Sequence, residues 1–220
     1  MTDLDELRRR VARLEGRPVD TAAVPVHPAL RGVVTPRAGG VYGVDAASLA
    51  LALLAGPSAA GAWCGVVDCP DLGFAAAREF GVETERLVVV PDAGPQWWEV
   101  VAALIDTLPL VVARPPERVS QRDAARLAAR LRSRQGVLVT WGAWPRCEAR
   151  LSLMASQWSG LGEGHGYLRA RRALVEVRSD VTLARRHEVW LQPLPGEAEP
   201  PDGTSGLEGR DDQALLRGAS

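Results

Sequence analysis

The sequence predicts an α/β fold, a mostly parallel sheet with helices on both faces and an antiparallel extension at its C-terminal end. Three observations carry this. Between Val41 and Trp141, short runs rich in Val and Leu alternate with stretches of helical character. Parallel strands covered on both faces read as short continuous apolar runs of this kind. After Arg150 the alternation stops and strand-like runs follow one another, which suits strands joined by turns. With 46% apolar residues, the 220-residue chain can bury one sizeable core and carry tails beside it.

Taken in order, Thr2–Gly16 predicts a short amphipathic helix. Leu4, Leu7, Val11 and Leu14 recur at helical spacing and form one apolar seam. Asp3, Asp5 and Glu6 precede Arg8, Arg9, Arg10 and Arg13, an order that suits the helix dipole, and Gly16 stops the helix. Residues 17–38 contain Pro18, Pro25, Pro28 and Pro36 and predict an extended linker. A seam held away from the core in this way needs a partner surface, so residues 1–16 are expected to be a docking helix.

The core is expected over residues 39–194. Strands are predicted at Val41–Val44, Trp63–Asp68, Arg86–Pro91, Leu110–Ala113 and Gly136–Trp141. Helices alternate with them at Ala46–Ala55, Phe74–Phe80, Gln96–Thr107 and Gln121–Arg134, the last with Ala125, Leu127, Ala128 and Leu131 inward. Arg150–Met154, Tyr167–Arg178 and Thr182–Leu191 predict the antiparallel extension, with a turn at Ser179–Asp180. Residues 195–220 are rich in Gly, Pro and acids and predict a disordered acidic tail. No internal repeat is visible.

All 26 basic residues are Arg, and the chain has neither Lys nor Asn. Codon bias is the simplest cause, but every lysine-dependent chemistry is excluded, Schiff bases among them. The net charge of −1 hides an asymmetry: residues 112–190 carry 15 Arg against 7 acidic residues. Such a segment suits nucleic acid or an acidic partner, and suits a solvated helical face equally well. Cys64, Cys69 and Cys147 show no metal-ligand spacing, and His27, His165 and His187 lie far apart. A metal site is not expected, and a reduced cytoplasmic setting is. The charged N-terminus shows no signal peptide, and the apolar run Leu49–Ala55 is far shorter than a membrane span.

A phosphate loop has two places to be. Gly56-Pro57-Ser58-Ala59-Ala60-Gly61-Ala62-Trp63 has the glycine spacing, with Ala in the Lys position. It follows a predicted helix and precedes a strand, where no free N–H groups await an anion, so it reads as a helix stop and turn. The topologically correct place is Gly43-Val44-Asp45-Ala46-Ala47-Ser48, after the first strand. It has one Gly, no Lys, and an acid at Asp45, which suits a helix cap and repels a phosphate. The fourth strand ends in Arg114-Pro115-Pro116, with no acid for Mg²⁺. Asp68 and Asp71 after the second strand read as turn and cap residues before catalysts.

Several stretches together resemble the RecA superfamily. Ala77-Arg78-Glu79-Phe80-Gly81-Val82, Leu87 and Pro91-Asp92 look like the run after its second core strand. Within it the chain resembles ImuA′, the RecA-like subunit of the actinobacterial damage-induced mutasome. The likeness covers residues 40–191 and rests on Gly40-Val41-Tyr42, Ser48–Ala55, Gly61-Ala62-Trp63-Cys64, Pro70-Asp71-Leu72-Gly73, Glu85–Pro91, Arg126–Arg130, Trp144-Pro145 and Trp158–Gly166. It implies a RecA-like sheet with a degenerate P-loop at Gly43, Asp45 and Ser48. It also implies an adaptor role in induced mutagenesis and translesion synthesis, without enzymatic activity or cofactor. The implied partners are an ImuB-like inactive Y-family polymerase relative and, through it, an error-prone C-family polymerase. RecA or a second copy of the chain are further partners. RecA docks on its filament neighbour through an N-terminal helix and strand, and Thr2–Gly16 sits in the matching place. The RecA DNA-binding loops look cut down to Arg114–Gln121 and Gly142–Glu148.

Arg118, Arg122, Arg126, Arg130 and Arg134 recur at about one helical turn. They read either as a stripe for phosphate or an acidic tail, or as a solvated helix face. Direct contact with nucleic acid is expected to be weak. Trp158–Gly166 reads as a Gly-rich structural corner, with His165 a lone candidate ligand or base. Trp97, Trp98, Trp141, Trp144 and Trp190 read as core or interface anchors. Two rivals stand beside the adaptor reading: a SulA-like division inhibitor acting by protein binding, and an active RecA-type ATPase. No catalytic, cofactor-binding or metal-binding residues are expected, and no membrane partner.

Overall fold

The computed structural model describes residues 22–159, 170–179 and 182–192. The helix expected at Thr2–Gly16, the corner around His165 and the tail expected at 195–220 lie outside them. The strands are β1 (Val41–Val44), β2 (Cys64–Val67), β3 (Leu87–Val90), β4 (Leu110–Ala113), β5 (Val137–Trp141), β6 (Ala149–Ser159), β7 (Ala170–Ser179) and β8 (Thr182–Gln192). The helices are α1 (Ala47–Ala59), α2 (Phe74–Glu79), α3 (Trp97–Thr107) and α4 (Gln121–Arg134). One sheet runs in the order β3-β2-β4-β5-β1-β6-β7-β8. Strands β1 to β6 pair in parallel, and β7 and β8 add in antiparallel fashion.

Arg150–Met154 belongs to β6, which has two partners. Ala149–Leu151 pairs in parallel with β1 on one side, while Arg150–Ser159 pairs antiparallel with β7 on the other, with a bulge between Leu153 and Ala155.

Alternation along the strands divides the core in two. Tyr42, Val44, Cys64, Val66, Leu110, Val112, Val137 and Val139 pack with α1 and α2 on one face. Val41, Val67, Val111, Ala113 and Leu138 pack with α3 and α4 on the other. Helix α4 starts at Ser120, whose Oγ accepts from the Asp123 N–H at 3.1 Å, and ends at Gln135 in the left-handed region. Its inward positions are Ala124, Leu127 and Leu131, whereas Ala125 is exposed and Ala128 half-buried. Leu127 and Leu131 are inward as expected, and with them the i, i+3, i+7 spacing brings in Ala124 rather than Ala125.

Helix α1 has no polar face. Every residue from Ser48 to Ser58 is buried, and the helix runs past the expected stop at Ala55, through Gly56 and Pro57, to Ala59. Gly61, at φ +85°, turns the chain into β2. Full burial of Leu49, Leu51, Leu53 and Leu54 stabilises the fold by about 1.5–3 kcal/mol per side chain.

Residues 22–38 supply much of the cover, so this part of the expected linker is not a detached tether. The Val24 N–H donates to Pro36 O, the Ala38 N–H to Ala22 O, and the His27 N–H to Ala52 O of α1 at 2.8 Å. Leu30 is fully buried, and the His27 ring packs against Phe80 at 5.4 Å. Pro28 opens a short 3-10 helix, Pro28–Leu30, and Val24, Val26 and Leu30 give the segment an apolar side which folds onto α1.

The crossing depends on one missing side chain. A Cβ at Gly56 would stand 2.1 Å from Pro25 O and 2.5 Å from Val26 N. Gly→Ala inside a helix ordinarily stabilises by up to about 1 kcal/mol. Here Gly56→Ala is expected to destabilise by about 1–3 kcal/mol, the usual range for overpacking. Urea unfolding of the variant checks the sign, and a gain in stability shows that residues 22–34 do not ride on α1.

Candidate functional site

In open α/β sheets, ligands bind outside the carboxyl ends of the strands, where helices leave for opposite faces. Here α1 leaves β1 on one face and α4 leaves β4 on the other, with β5 between them. The rim at this crevice consists of Gly43–Ser48, Arg114, Gly142 and the first residues of β6.

Asp45 does not cap α1. Ala46 occupies the N-cap position, and Asp45 Oδ1 instead accepts from the Leu153 N–H at 2.9 Å. The carboxylate at the phosphate position thus fastens β1 to β6, because Val44 and Leu151 are cross-strand partners just before it. Ser48 is buried, and its Oγ has no hydrogen-bond partner among the described residues.

Gly43 opposes Arg150 in the β1–β6 ladder. A Cβ on Gly43 would stand 2.8 Å from the Arg150 Cζ, so the bare glycine seats a guanidinium. Arg150 Nη1 donates to Gly142 O at 3.0 Å, and the Gly142 N–H donates to Val44 O at 3.1 Å. Arg150 therefore ties the ends of β1, β5 and β6 together.

Arg114 stands at the end of β4. Its guanidinium lies 4.4 Å from the Trp141 ring centroid and reaches Asp71 Oδ2 at 2.8 Å. Its carbonyl accepts from Trp97 Nε1 at 2.8 Å. Asp68, with left-handed backbone at φ 53°, accepts from the Ala93 N–H at 2.7 Å. Both acids of the β2 end hold loops in place. Trp97 and Trp144 are buried and meet Trp98 in edge-on and tilted ring contacts, whereas Trp190 is exposed.

The two buried thiols, Cys64 and Cys69, offer no nucleophile. Burial pushes Cys64 up to about 12 and Cys69 up to about 11, so both stay protonated at neutral pH. Among the described residues, no group of three or more His, Cys, Asp and Glu is placed to hold a metal ion. No described helix is long and apolar enough to cross a membrane.

The Arg stripe divides. Arg118 precedes α4, and Arg122, Arg126, Arg130 and Arg134 lie exposed along it. Arg130 grips Asp106 of α3 through two nitrogens, and Arg134 Nε reaches the same carboxylate at 3.1 Å. That end of the stripe clamps α4 to α3, which leaves Arg118, Arg122 and Arg126 for solvent or a partner. The seam Leu4, Leu7, Val11 and Leu14 lies outside the described residues.

Arg150 is the rim residue that sequence reasoning did not single out. The departure of Arg114 from an acidic strand end was visible, but its stack on Trp141 was not. Arg150 had no local signal, because its seat is a glycine on a strand remote in sequence.

The Asp106 clamp gives a pH prediction. The hydrogen bond from Arg130, with the charges of Arg130 and Arg134, holds the Asp106 carboxyl at about 2, below the ordinary 3.8. A folded value below the unfolded one adds stability above the ordinary value, and this is lost as pH falls toward about 2. Asp106→Asn should remove that increment from the acid limb and leave the limb above pH 5 parallel to the parent's. Thermal melts across the acid range check this, and superimposable acid limbs would show that the clamp does not stabilise the fold.

The family model for the MT3502 N-terminal domain matches residues 28–146, more than half of the chain. The uncharacterized protein Rv3395c of Mycobacterium tuberculosis is 36% identical over 161 residues, which cover 68% of this chain and 74% of that protein. The chain belongs to the MT3502 N-terminal domain family.

Proposed function

We propose that this member of the family is a non-enzymatic, RecA-like adaptor in DNA-damage-induced mutagenesis and translesion synthesis. It would link an ImuB-like inactive Y-family polymerase relative to an error-prone C-family polymerase. The observation that carries the non-enzymatic part is the occupancy of the rim by the chain's own groups. A nucleotide-binding sheet of this kind offers free N–H groups, a Lys and a Mg²⁺-binding acid at this rim. Here the Asp45 carboxylate is committed to Leu153, the Arg150 guanidinium lies on Gly43, and Arg114 ends β4. An incoming phosphate would meet Asp45, and a metal ion would meet Arg114.

The resemblance to ImuA′ carries the mutagenesis part, and the sheet order is compatible with it. Strand β1 lies inside the sheet, with its helix on one face and the antiparallel extension beyond β6. Cofactors have no part in this reading. Partner contact is assigned to the N-terminal seam Leu4, Leu7, Val11 and Leu14. Arg118, Arg122 and Arg126 are assigned to weak contact with an acidic partner or nucleic acid.

Calorimetry with Mg-ATP is expected to give no heat of binding, and low-micromolar affinity would end the non-enzymatic reading. Affinity capture with the full chain is expected to retain an ImuB-like polymerase relative. Capture of a tubulin-like division protein instead would select the SulA-like rival. On labelled duplex DNA, Arg122→Glu with Arg126→Glu should lower the salt slope by roughly 0.9 for each phosphate that is no longer neutralised. Equal slopes for parent and variant would leave the stripe without a role in DNA binding.

A further inference from the structure

Strand β8 closes the sheet on one side, and among the described residues no strand pairs with its outer edge. Edge strands ordinarily guard themselves with short length, Pro, Lys or an awkward charge. β8 runs for 11 residues, Thr-Leu-Ala-Arg-Arg-His-Glu-Val-Trp-Leu-Gln, with no Pro, Gly or Lys. Its charges, Arg185, Arg186 and Glu188, would normally be read as the guard.

Their placement says otherwise. We infer that β8 pairs with β8 of a second copy of this chain, antiparallel about a twofold axis at His187, to make one continuous sheet. A twofold axis normal to the sheet keeps each face with the same face of the partner, so only registers centred on a residue are allowed. His187 is the midpoint of Thr182–Gln192, so this register overlaps the whole strand. Arg186 of each copy then stands opposite Glu188 of the other. Leu183, 89% exposed in the single chain, stands opposite Leu191. Centring on Arg185, Arg186 or Glu188 instead sets two like charges directly across the axis, which is destabilising.

The neighbouring strand extends the pattern. Arg186 Nε reaches Glu176 Oε2 of β7 at 3.3 Å, and Glu188 pairs with Arg172 of β7. Across the axis the charges would therefore run Glu176, Arg186, Glu188, Arg172, alternating in sign through four strands and two chains. Isologous contacts of this kind are the commonest route to a closed dimer. The inference rests on β8 alone, independently of the adaptor reading.

The test is a charge exchange followed by sedimentation of the full chain. The parent is expected at twice its 23.5 kDa mass. Arg186→Glu alone and Glu188→Arg alone each place like charges opposite one another, and each should sediment as a monomer. Mixed in equal amounts they become complementary at both rungs, and the dimer should return as a heterodimer. A second readout does not depend on charge. His187→Cys sets a thiol beside its own twin, and mild oxidation should give a covalent dimer that the parent, with its own three cysteines, does not give. A monomeric parent, single variants that both stay dimeric, or a mixture of folded variants that stays monomeric would each overturn the inference. Failure of the cysteine variant to crosslink would overturn it if the charge variants do not fold.

Discussion

Helix α1 is apolar all round, so the sheet can cover only half of it and something else must cover the rest. Residues 22–34 do so, and the rest of the architecture depends on that contact. Without it Leu49, Leu53 and their neighbours would face water on one side of the sheet, at about 1.5–3 kcal/mol for each side chain left bare. The approach is close enough that backbone meets backbone at Gly56, where no Cβ intervenes. One glycine therefore joins the segment before β1 to the helix after it. Ser58 extends the same logic at the end of α1, where its Oγ accepts from the Glu83 N–H at 2.8 Å and steers the chain into β3.

The opposite end of α1 shows how the carboxyl rim is organised. The free N–H groups of a helix start attract anions. Here the nearest carboxylate, Asp45, is turned to the edge N–H of Leu153, and Ala46 provides no cap. What the rim gains instead is mechanical. Asp45 and Arg150 both bridge β1 to β6, and β6 carries the long antiparallel extension. Groups that would serve ligand chemistry elsewhere fasten the extension to the parallel core here. Arg114 acts similarly at the other end of the rim, joining β4 to the β2 loop through Asp71 and to β5 through Trp141.

The alternation of strands and helices was legible because each run carries its own periodicity. Helix α4 occupies the expected Gln121–Arg134, with Leu127 and Leu131 inward as their spacing predicted. What escaped depended on partners remote in sequence. The fold of residues 22–38 onto α1 requires Pro25 to meet Gly56, and neither residue signals the other. The prolines suggest extension, but a proline count shows neither the 3-10 helix at Pro28–Leu30 nor what lies beneath the chain. Gly43 drew attention as a fragment of a phosphate loop, whereas its structural need is a flat seat for Arg150. A glycine reports that space is required, and only the register β1↔β6 tells what fills it. The Arg spacing along α4 was read correctly, yet Asp106, which takes up two of those residues, belongs to another helix.

The absence of Lys acquires a structural meaning beside its compositional one. Arg114 lies over Trp141, Arg150 lies on Gly43 while donating to Gly142, and Arg171 lies 5.3 Å from the Trp158 ring centroid. Each site uses the planarity of the guanidinium as well as its charge. An ammonium group is compact, strongly hydrated and without a face, so it cannot stack and donate sideways at once. Genomic bias can supply Arg wherever a cation is tolerated. At these three places the fold has grown around the shape of the group. Lys at these places would keep the charge but not the flat contact, so the constraint lies in the packing whatever its origin in the codons.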